Sequence, residues 1–198
     1  QNNSYGFVLD GASNGGGDNN VLTNNISQNN SNAGFYIAES DTNTLTGNTS
    51  RNNSQKGFYL FVSGNNNTLT NNMFDSNQYG VYLYGGLTNT LTGNTVQNNT
   101  LDGIYLDASG GITLTNNTIQ NNSGYGFVAD GASNGASDNH TLTNNISQNN
   151  SQAGFYLATS ETNTLTGNTS RNNSGHGFWL SSAVNNKLVQ NTADSNVK

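Results

Sequence analysis

Two carboxylates in this chain have a spacing that could support acid–base catalysis. Asp107 and Asp130 are 23 residues apart, the step at which leucine most often recurs along the sequence. If each step is one coil of a stacked fold, the two side chains share a column on adjacent coils, with Tyr84 one coil earlier. A close carboxylate pair raises one pKa, which allows general acid and base roles. No Lys or Arg shares this column to stabilise a developing charge, so we predict no catalytic residues and no enzymatic activity.

A series of aromatic side chains recurs with the same period. Each lies between two apolar residues, so that it faces outward if the segment is a strand. Aromatic rings in line could stack on sugar rings, or they could pair across strands and stabilise a sheet. The glycan-binding residues predicted on the first alternative are Tyr36, Tyr59, Tyr82, Tyr105, Tyr156 and Trp179.

The elements that would position these residues are short strands of a tandem repeat. Marker residues recur every 22 to 24 residues, with 28 residues in each of two coils that carry a loop insertion. Gly precedes an alternating apolar run in every coil, such as Gly57 before Phe58 and Leu60. Alternation of this kind is typical of strands with one buried face. The sequence therefore predicts an all-β solenoid, a parallel β-helix of about eight coils.

Two columns of asparagine are predicted to hold the coils together. They fall three and eight residues after the marker leucine, as Asn94 and Asn99 follow Leu91. Asn tolerates the left-handed backbone of a tight bend, and stacked amides can hydrogen-bond from coil to coil. These residues are predicted to be scaffold.

The pattern Asn-Thr-Leu-Thr-Gly-Asn-Thr, then Asn-Asn-Ser, then Gly-Phe-Tyr-Leu, resembles the β-helix repeats of the NosD-like and carbohydrate-binding/sugar-hydrolase group. The resemblance covers essentially the whole chain and implies a right-handed β-helix that is secreted or at the cell surface. It implies activity only weakly, because the group includes polysaccharide-active enzymes, accessory proteins and surface proteins. A copper site is not carried over, since one Met and two separated His offer no ligand set, and we expect no metal and no cofactor.

Threonines flank the marker leucine on both sides in six successive coils. If the leucine points inward, stacking produces a grid with spacings of about 6.7 Å along the strand and about 4.8 Å between strands. The grid resembles the Thr-x-Thr ranks of insect β-solenoid antifreeze proteins, which order water to match ice, although strand propensity alone also favours Thr. The predicted ice-binding residues are Thr44, Thr46, Thr68, Thr70, Thr90, Thr92, Thr113, Thr115, Thr141, Thr143, Thr164 and Thr166.

Composition limits the partners. Only 8% of the 198 residues are charged and the net charge is −6, so no basic stripe is present for nucleic acid, and no apolar run is long enough for membrane insertion. A unit of 120 residues and five coils is duplicated, as Gly6 and Gly126 illustrate. We expect one β-helix domain over residues 1–198, a fragment or uncapped solenoid that could associate end to end.

Three functions are consistent with these patterns. The preferred hypothesis is a non-catalytic extracellular protein that binds ice through the threonine grid. The alternative is a carbohydrate-binding or structural cell-surface or filament module that uses the aromatic column. A polysaccharide lyase or hydrolase that uses Asp107 and Asp130 is a distant third.

Overall fold

A computed structural model of the chain describes residues 3–11, 17–131 and 137–198. Over these residues the backbone forms short β-strands joined by turns, and each coil contributes one strand to each of three parallel, eight-stranded sheets. The predicted all-β solenoid is confirmed. Residues 12–16 and 132–136, the middle of each inserted loop, lie outside the described residues.

The strands of the three sheets alternate along the chain. The first sheet contains β1 (Phe7–Asp10), β4 (Phe35–Ala38), β7 (Lys56–Phe61), β10 (Tyr79–Tyr84), β13 (Ile104–Asp107), β16 (Phe127–Asp130), β19 (Phe155–Ala158) and β22 (Phe178–Ser181). The second contains β2 (Val21–Thr23), β5 (Thr44–Thr46), β8 (Thr68–Thr70), β11 (Thr90–Thr92), β14 (Thr113–Thr115), β17 (Thr141–Thr143), β20 (Thr164–Thr166) and β23 (Lys187–Val189). The third contains β3 (Ile26–Gln28), β6 (Thr49–Arg51), β9 (Met73–Asp75), β12 (Thr95–Gln97), β15 (Thr118–Gln120), β18 (Ile146–Gln148), β21 (Thr169–Arg171) and β24 (Thr192–Asp194).

The core is a set of stacked side-chain columns, one residue per coil. Leu91 pairs in register with Leu69 and Leu114, and all three are fully buried. Phe58 and Leu60 of the first sheet are buried as well, which confirms the inward alternation predicted from the sequence. Within the described ranges, no helix has the length and apolar character that crossing a membrane requires.

Asparagine ladders connect each coil to the next. The side-chain oxygen of Asn117 accepts hydrogen bonds from the backbone N–H of Asn94 at 2.9 Å and from its Nδ2 at 3.0 Å. Asn94 Nδ2 also donates to the carbonyl of Leu69 on the preceding coil at 2.9 Å. The left-handed backbone lies one residue before the ladder position, as at Asn116 with a φ of 55°, and not at the ladder Asn itself.

A third ladder, absent from the sequence interpretation, lies two residues before the marker leucine. Asn43 donates from its backbone N–H to the side-chain oxygen of Asn67 at 2.8 Å, and the same bond links Asn163 to Asn186. In most coils each of the three corners is therefore fixed by a side-chain amide.

The invariant glycines are required where a ladder packs against the first sheet. A Cβ atom on Gly57 would lie 2.6 Å from the carbonyl oxygen of Gly80 and 2.7 Å from Asn77 Nδ2. No other residue fits without displacing the ladder amide.

His140 replaces asparagine in the third ladder. It is 1% exposed, its Nδ1 accepts the backbone N–H of Ile112 at 3.2 Å, and its Nε2 lies 3.1 Å from Ser137 Oγ. Because Nδ1 is an acceptor, the imidazole is neutral, and burial lowers its pKa to about 4.

His140 should make the fold sensitive to acid. The unfolded chain binds a proton at the ordinary histidine pKa of 6.5 and the folded chain only near 4. Its contribution to stability is therefore complete above pH 6.5 and is lost as the pH falls toward about 4, by about 3 kcal/mol at most. We expect the free energy of unfolding, measured in urea at several pH values, to fall less between pH 6.5 and 4 in His140→Asn than in the wild type. An amide can make the ladder bonds without titrating. We call this fall the acid limb.

The matched exchange His176→Asn, at a half-buried position outside the ladder, should keep the wild-type acid limb. An unchanged limb in His140→Asn would contradict the assignment.

Candidate functional site

The outward face of the first sheet carries three parallel columns of side chains. The aromatic column consists of Val8, Tyr36, Tyr59, Tyr82, Tyr105, Val128, Tyr156 and Trp179. The strand-end column, two residues further along each strand, consists of Asp10, Ala38, Phe61, Tyr84, Asp107, Asp130, Ala158 and Ser181. Pairing of Tyr84 with Asp107, and of Asp107 with Asp130, is as the sequence predicted.

The third column was missed by the sequence interpretation. This pre-glycine column, the residue before each invariant Gly, consists of Tyr5, Ala33, Lys56, Tyr79, Asp102, Tyr125, Ala153 and His176. Its side chains contact the aromatic column, as Tyr79 contacts the Tyr82 ring at 5.2 Å between centroids. The sequence does contain a signal for this column, because its residue changes chemical type from coil to coil while most other positions repeat.

Two tyrosine–aspartate pairs occupy the middle of this face. Tyr82 donates its hydroxyl proton to Asp107 Oδ2 at 2.9 Å, and Tyr105 donates to Asp130 Oδ2 at 2.8 Å. Each bond joins one coil to the next, so the two pairs are successive copies of one arrangement. Asp107 is only 9% exposed, and its Oδ1 is buried with no hydrogen-bond partner among the described residues.

Lys56 brings a cationic side chain to these tyrosines from the pre-glycine column. Its Nζ lies 4.5 Å from the ring centroid of Tyr59 and 5.3 Å from that of Tyr82. Burial against the rings lowers the pKa of the Lys56 ammonium, because desolvation disfavours the charged form. The sequence prediction considered cations only within the strand-end column, and Lys56 lies in the pre-glycine column.

The tyrosines of the face remain protonated over a wide pH range. Burial, with smaller contributions from neighbouring tyrosines and Asp107, raises the pKa of Tyr59 to about 12. Burial and then the hydrogen bond to Asp107 raise the pKa of Tyr82 further, and burial and the bond to Asp130 do the same for Tyr105. These hydroxyls are therefore proton donors, and Lys56 is a neighbouring amine that loses its proton more readily than usual.

The aromatic residues form two clusters and not one continuous track. In the first, Tyr82 and Tyr105 stack with centroids 5.1 Å apart and planes 10° apart. In the second, Tyr156 lies 4.5 Å from Trp179. Val128, only 2% exposed, separates the two clusters within the aromatic column. Because the rings stack on one another, they present mainly edges and hydroxyls to solvent.

The twelve predicted threonines lie in register on the second sheet. Thr90 pairs with Thr68 and Thr113, and Thr92 pairs with Thr70 and Thr115, with partly exposed side chains. This sheet is separate from the three columns, so the threonine array and the tyrosine–aspartate pairs are on different sheets. Among the described residues, no group of three or more His, Cys, Asp or Glu side chains is arranged to hold a metal ion.

The chain as a whole matches a known family. The model described as "Right handed beta helix region" matches residues 1–96 and 64–198, so the chain belongs to the right-handed β-helix family. No match was found among curated proteins.

Several solved structures share the fold at low sequence identity. The periplasmic alginate epimerase AlgG superposes with a TM-score of 0.87 at 19% identity, covering 96% of this chain and 47% of that protein. The A-module of the mannuronan C-5 epimerase AlgE6 from Azotobacter vinelandii gives a TM-score of 0.74 at 16% identity, covering 96% and 61%. The pectate lyase Pel9A gives 0.56 at 16% identity, covering 80% and 56%. The chain spans about half the length of AlgG.

The prediction that the chain is not an enzyme is wrong, and the structural comparisons correct it. The named structures of the same fold are epimerases and a lyase that act on polysaccharides, and none is described as an ice-binding protein. Asp107 and Asp130 share one column, whereas the hydroxyls and the amine near them come from the other two columns, which the prediction did not consider.

The hydrogen bond between Tyr82 and Asp107 gives a direct test of this geometry. Exchange of Asp107 for Asn removes a negative charge and weakens the bond, so the pKa of Tyr82 should fall while staying above 10, because burial remains its largest cause. Nuclear magnetic resonance of ¹³C-labelled tyrosine during alkaline titration should resolve the change. Asp75→Asn, on the third sheet, should leave Tyr82 unaffected, and an unchanged Tyr82 in Asp107→Asn would show that the bond is not formed.

Proposed function

We propose that this protein acts on an acidic polysaccharide by removing a proton from a sugar carbon next to a carboxylate, as a lyase or an epimerase does. The observation that carries the proposal is the cluster of Lys56 beside Tyr82, with Tyr82 and Tyr105 each bonded to a carboxylate. This cluster combines an amine that deprotonates readily with hydroxyls that keep their protons. Acid–base catalysis requires two groups whose pKa values are moved apart in this way.

Lys56 is the general base in this proposal. Its lowered pKa increases the fraction of neutral amine at a given pH, and only the neutral amine can accept a proton. Tyr82 and Tyr105 are the general acids, since their raised pKa values keep them protonated beside the substrate. Each hydroxyl proton is hydrogen-bonded to a carboxylate, so it must turn from that carboxylate to the substrate before it protonates a leaving oxygen in elimination, or the opposite face of the sugar carbon in epimerisation.

Asp107 and Asp130 are positioning residues. Each accepts a hydrogen bond from a tyrosine on the preceding coil, which fixes the direction of the hydroxyl. Their own sheet register is set by the coil stacking, so that the orientation is independent of substrate.

The shared fold of an alginate epimerase and a pectate lyase supports a polysaccharide substrate, and AlgG is described as periplasmic. We place this protein outside the cytoplasm on the same basis, secreted or at the cell surface.

Loss of the Lys56 amine should abolish most of the activity. Purified protein is incubated with alginate, polymannuronate or pectate in heavy water, and both deuterium incorporation next to the carboxylate and the ultraviolet absorbance of unsaturated products are followed. Lys56→Gln should lower the rate by about a hundredfold to ten-thousandfold, the usual contribution of a general base. The wild-type rate should rise with pH until Lys56 is neutral, at a pH below the ordinary lysine pKa of 10.5.

Lys187→Gln is the matched control, because Lys187 is an exposed lysine on the second sheet. It should retain the wild-type rate. Release of reducing ends with neither signal would indicate hydrolysis by the carboxylate pair and would refute proton abstraction.

A second candidate function is ice binding, favoured by the in-register threonine array of the second sheet. We propose that this array would act independently of the tyrosine face. In that case Thr92→Tyr, in the middle of the array, should remove thermal hysteresis, whereas Lys56→Gln should not alter it. Absence of hysteresis and of ice shaping in the wild-type protein would eliminate this candidate.

A further inference from the structure

The internal duplication has copied part of the tyrosine face. Adding 120 to the residue numbers of Tyr5, Tyr36, Lys56 and Tyr59 gives Tyr125, Tyr156, His176 and Trp179. We call the first four residues the first platform and the second four the second platform. Each set combines three aromatic rings with one basic side chain.

The two platforms have similar spacings between their side chains. Ring centroids are 4.9 Å apart for Tyr5 and Tyr36, and 5.0 Å apart for Tyr125 and Tyr156. In the first platform the basic group, Lys56 Nζ, lies 4.5 Å from the ring centroid at position 59. In the second, the His176 ring lies 5.3 Å from Trp179. The copied residues have therefore stayed in contact, although the second ring pair is closer in the second platform, at 4.5 Å for Tyr156 and Trp179 against 5.4 Å for Tyr36 and Tyr59.

Where the two copies differ, the platform residues keep their chemical type, whereas the outward residue at position 61 does not. Tyr59 corresponds to Trp179 and Lys56 to His176, so an aromatic ring and a basic group remain. The neighbouring Phe61, which stacks on Tyr84, corresponds to Ser181. If the rings only stabilised the sheet, Phe61 should have been retained in the copy as its neighbours were. Its loss, beside rings that are retained, points to a shared ligand.

We propose that the second platform is an additional binding subsite for the same acidic polysaccharide chain. A sugar unit lies against the exposed edge of Trp179, which is 36% exposed, and its carboxylate is held by His176. This inference rests on the proposed function and extends it from one site to two. The reacting groups remain those around Lys56 and Tyr82.

The distance between the platforms sets the length of the ligand. Tyr59 on β7 and Trp179 on β22 are separated by five strand steps, through β10, β13, β16 and β19. At about 4.8 Å per step this is about 24 Å, so only a chain of several sugar rings can span it. One chain lying along the solenoid axis therefore occupies both platforms, and its affinity gains from the second contact without any new binding partner.

Binding of size-fractionated oligomannuronates by calorimetry tests the second platform. We use oligomers of about three and about eight units, shorter and longer than the span between platforms. Wild-type protein should bind the longer oligomer at least about tenfold more tightly, and Trp179→Ala should remove that preference while leaving the shorter oligomer unchanged. Trp179→Phe, which keeps an aromatic ring, should retain most of the preference.

The outcomes separate this inference from the proposed function. Equal affinity for both lengths in the wild type, or an undiminished preference in Trp179→Ala, overturns the second platform and leaves the proton-transfer site standing. Failure of the wild type to bind any acidic polysaccharide overturns both. If Trp179→Ala does not fold, His176→Ala, at a half-buried position outside the core, is used with the same expected loss of length preference.

Discussion

The side-chain amide ladders are the constraint on which the rest of the structure depends. A parallel coil has no hairpin to fix its register, and a slip of one residue would turn every buried Phe and Leu toward solvent. Each ladder amide prevents this by bonding to both neighbouring coils, as Asn117 does with Asn94 and Asn145. At about 0.5–1.5 kcal/mol net per bond, and with a larger penalty for an unpaired buried amide, the corners of the coil tolerate little change.

Because the corners and the interior are fixed, sequence variation is concentrated on the outward columns. The inward leucine column and the two asparagine ladders that follow it repeat almost without change, whereas the pre-glycine column passes from Lys56 to Tyr79 to Asp102 in three coils. The column includes buried Ala33 and Ala153 as well as the larger polar and aromatic side chains, so the same position accepts very different residues. Functional groups can therefore be brought together by choosing one residue per coil.

The fold could be predicted from the sequence because it is periodic. Repetition identified the strands, the inward Leu and Phe columns and the registers that bring Asp107 beside Asp130. The site could be predicted only in part, because it joins columns whose relation depends on side-chain direction. That Lys56 reaches over Tyr59 and Tyr82, and that Tyr82 and Tyr105 bond across coils to the carboxylates, follows from rotamers and not from spacing. The third ladder was overlooked because His140 and Ile112 interrupt its asparagines.

The ladder bonds also give the solenoid a direction. In each of the three ladders the backbone N–H of one coil points to the side-chain oxygen of the coil that follows, as from Asn43 to Asn67 and from Asn145 to Asn168. The two ends of the long axis are therefore chemically inequivalent, and so are the two directions in which a polymer could lie along it. The polysaccharide of the proposed function, which has a reducing and a non-reducing end, would meet a surface whose two directions differ.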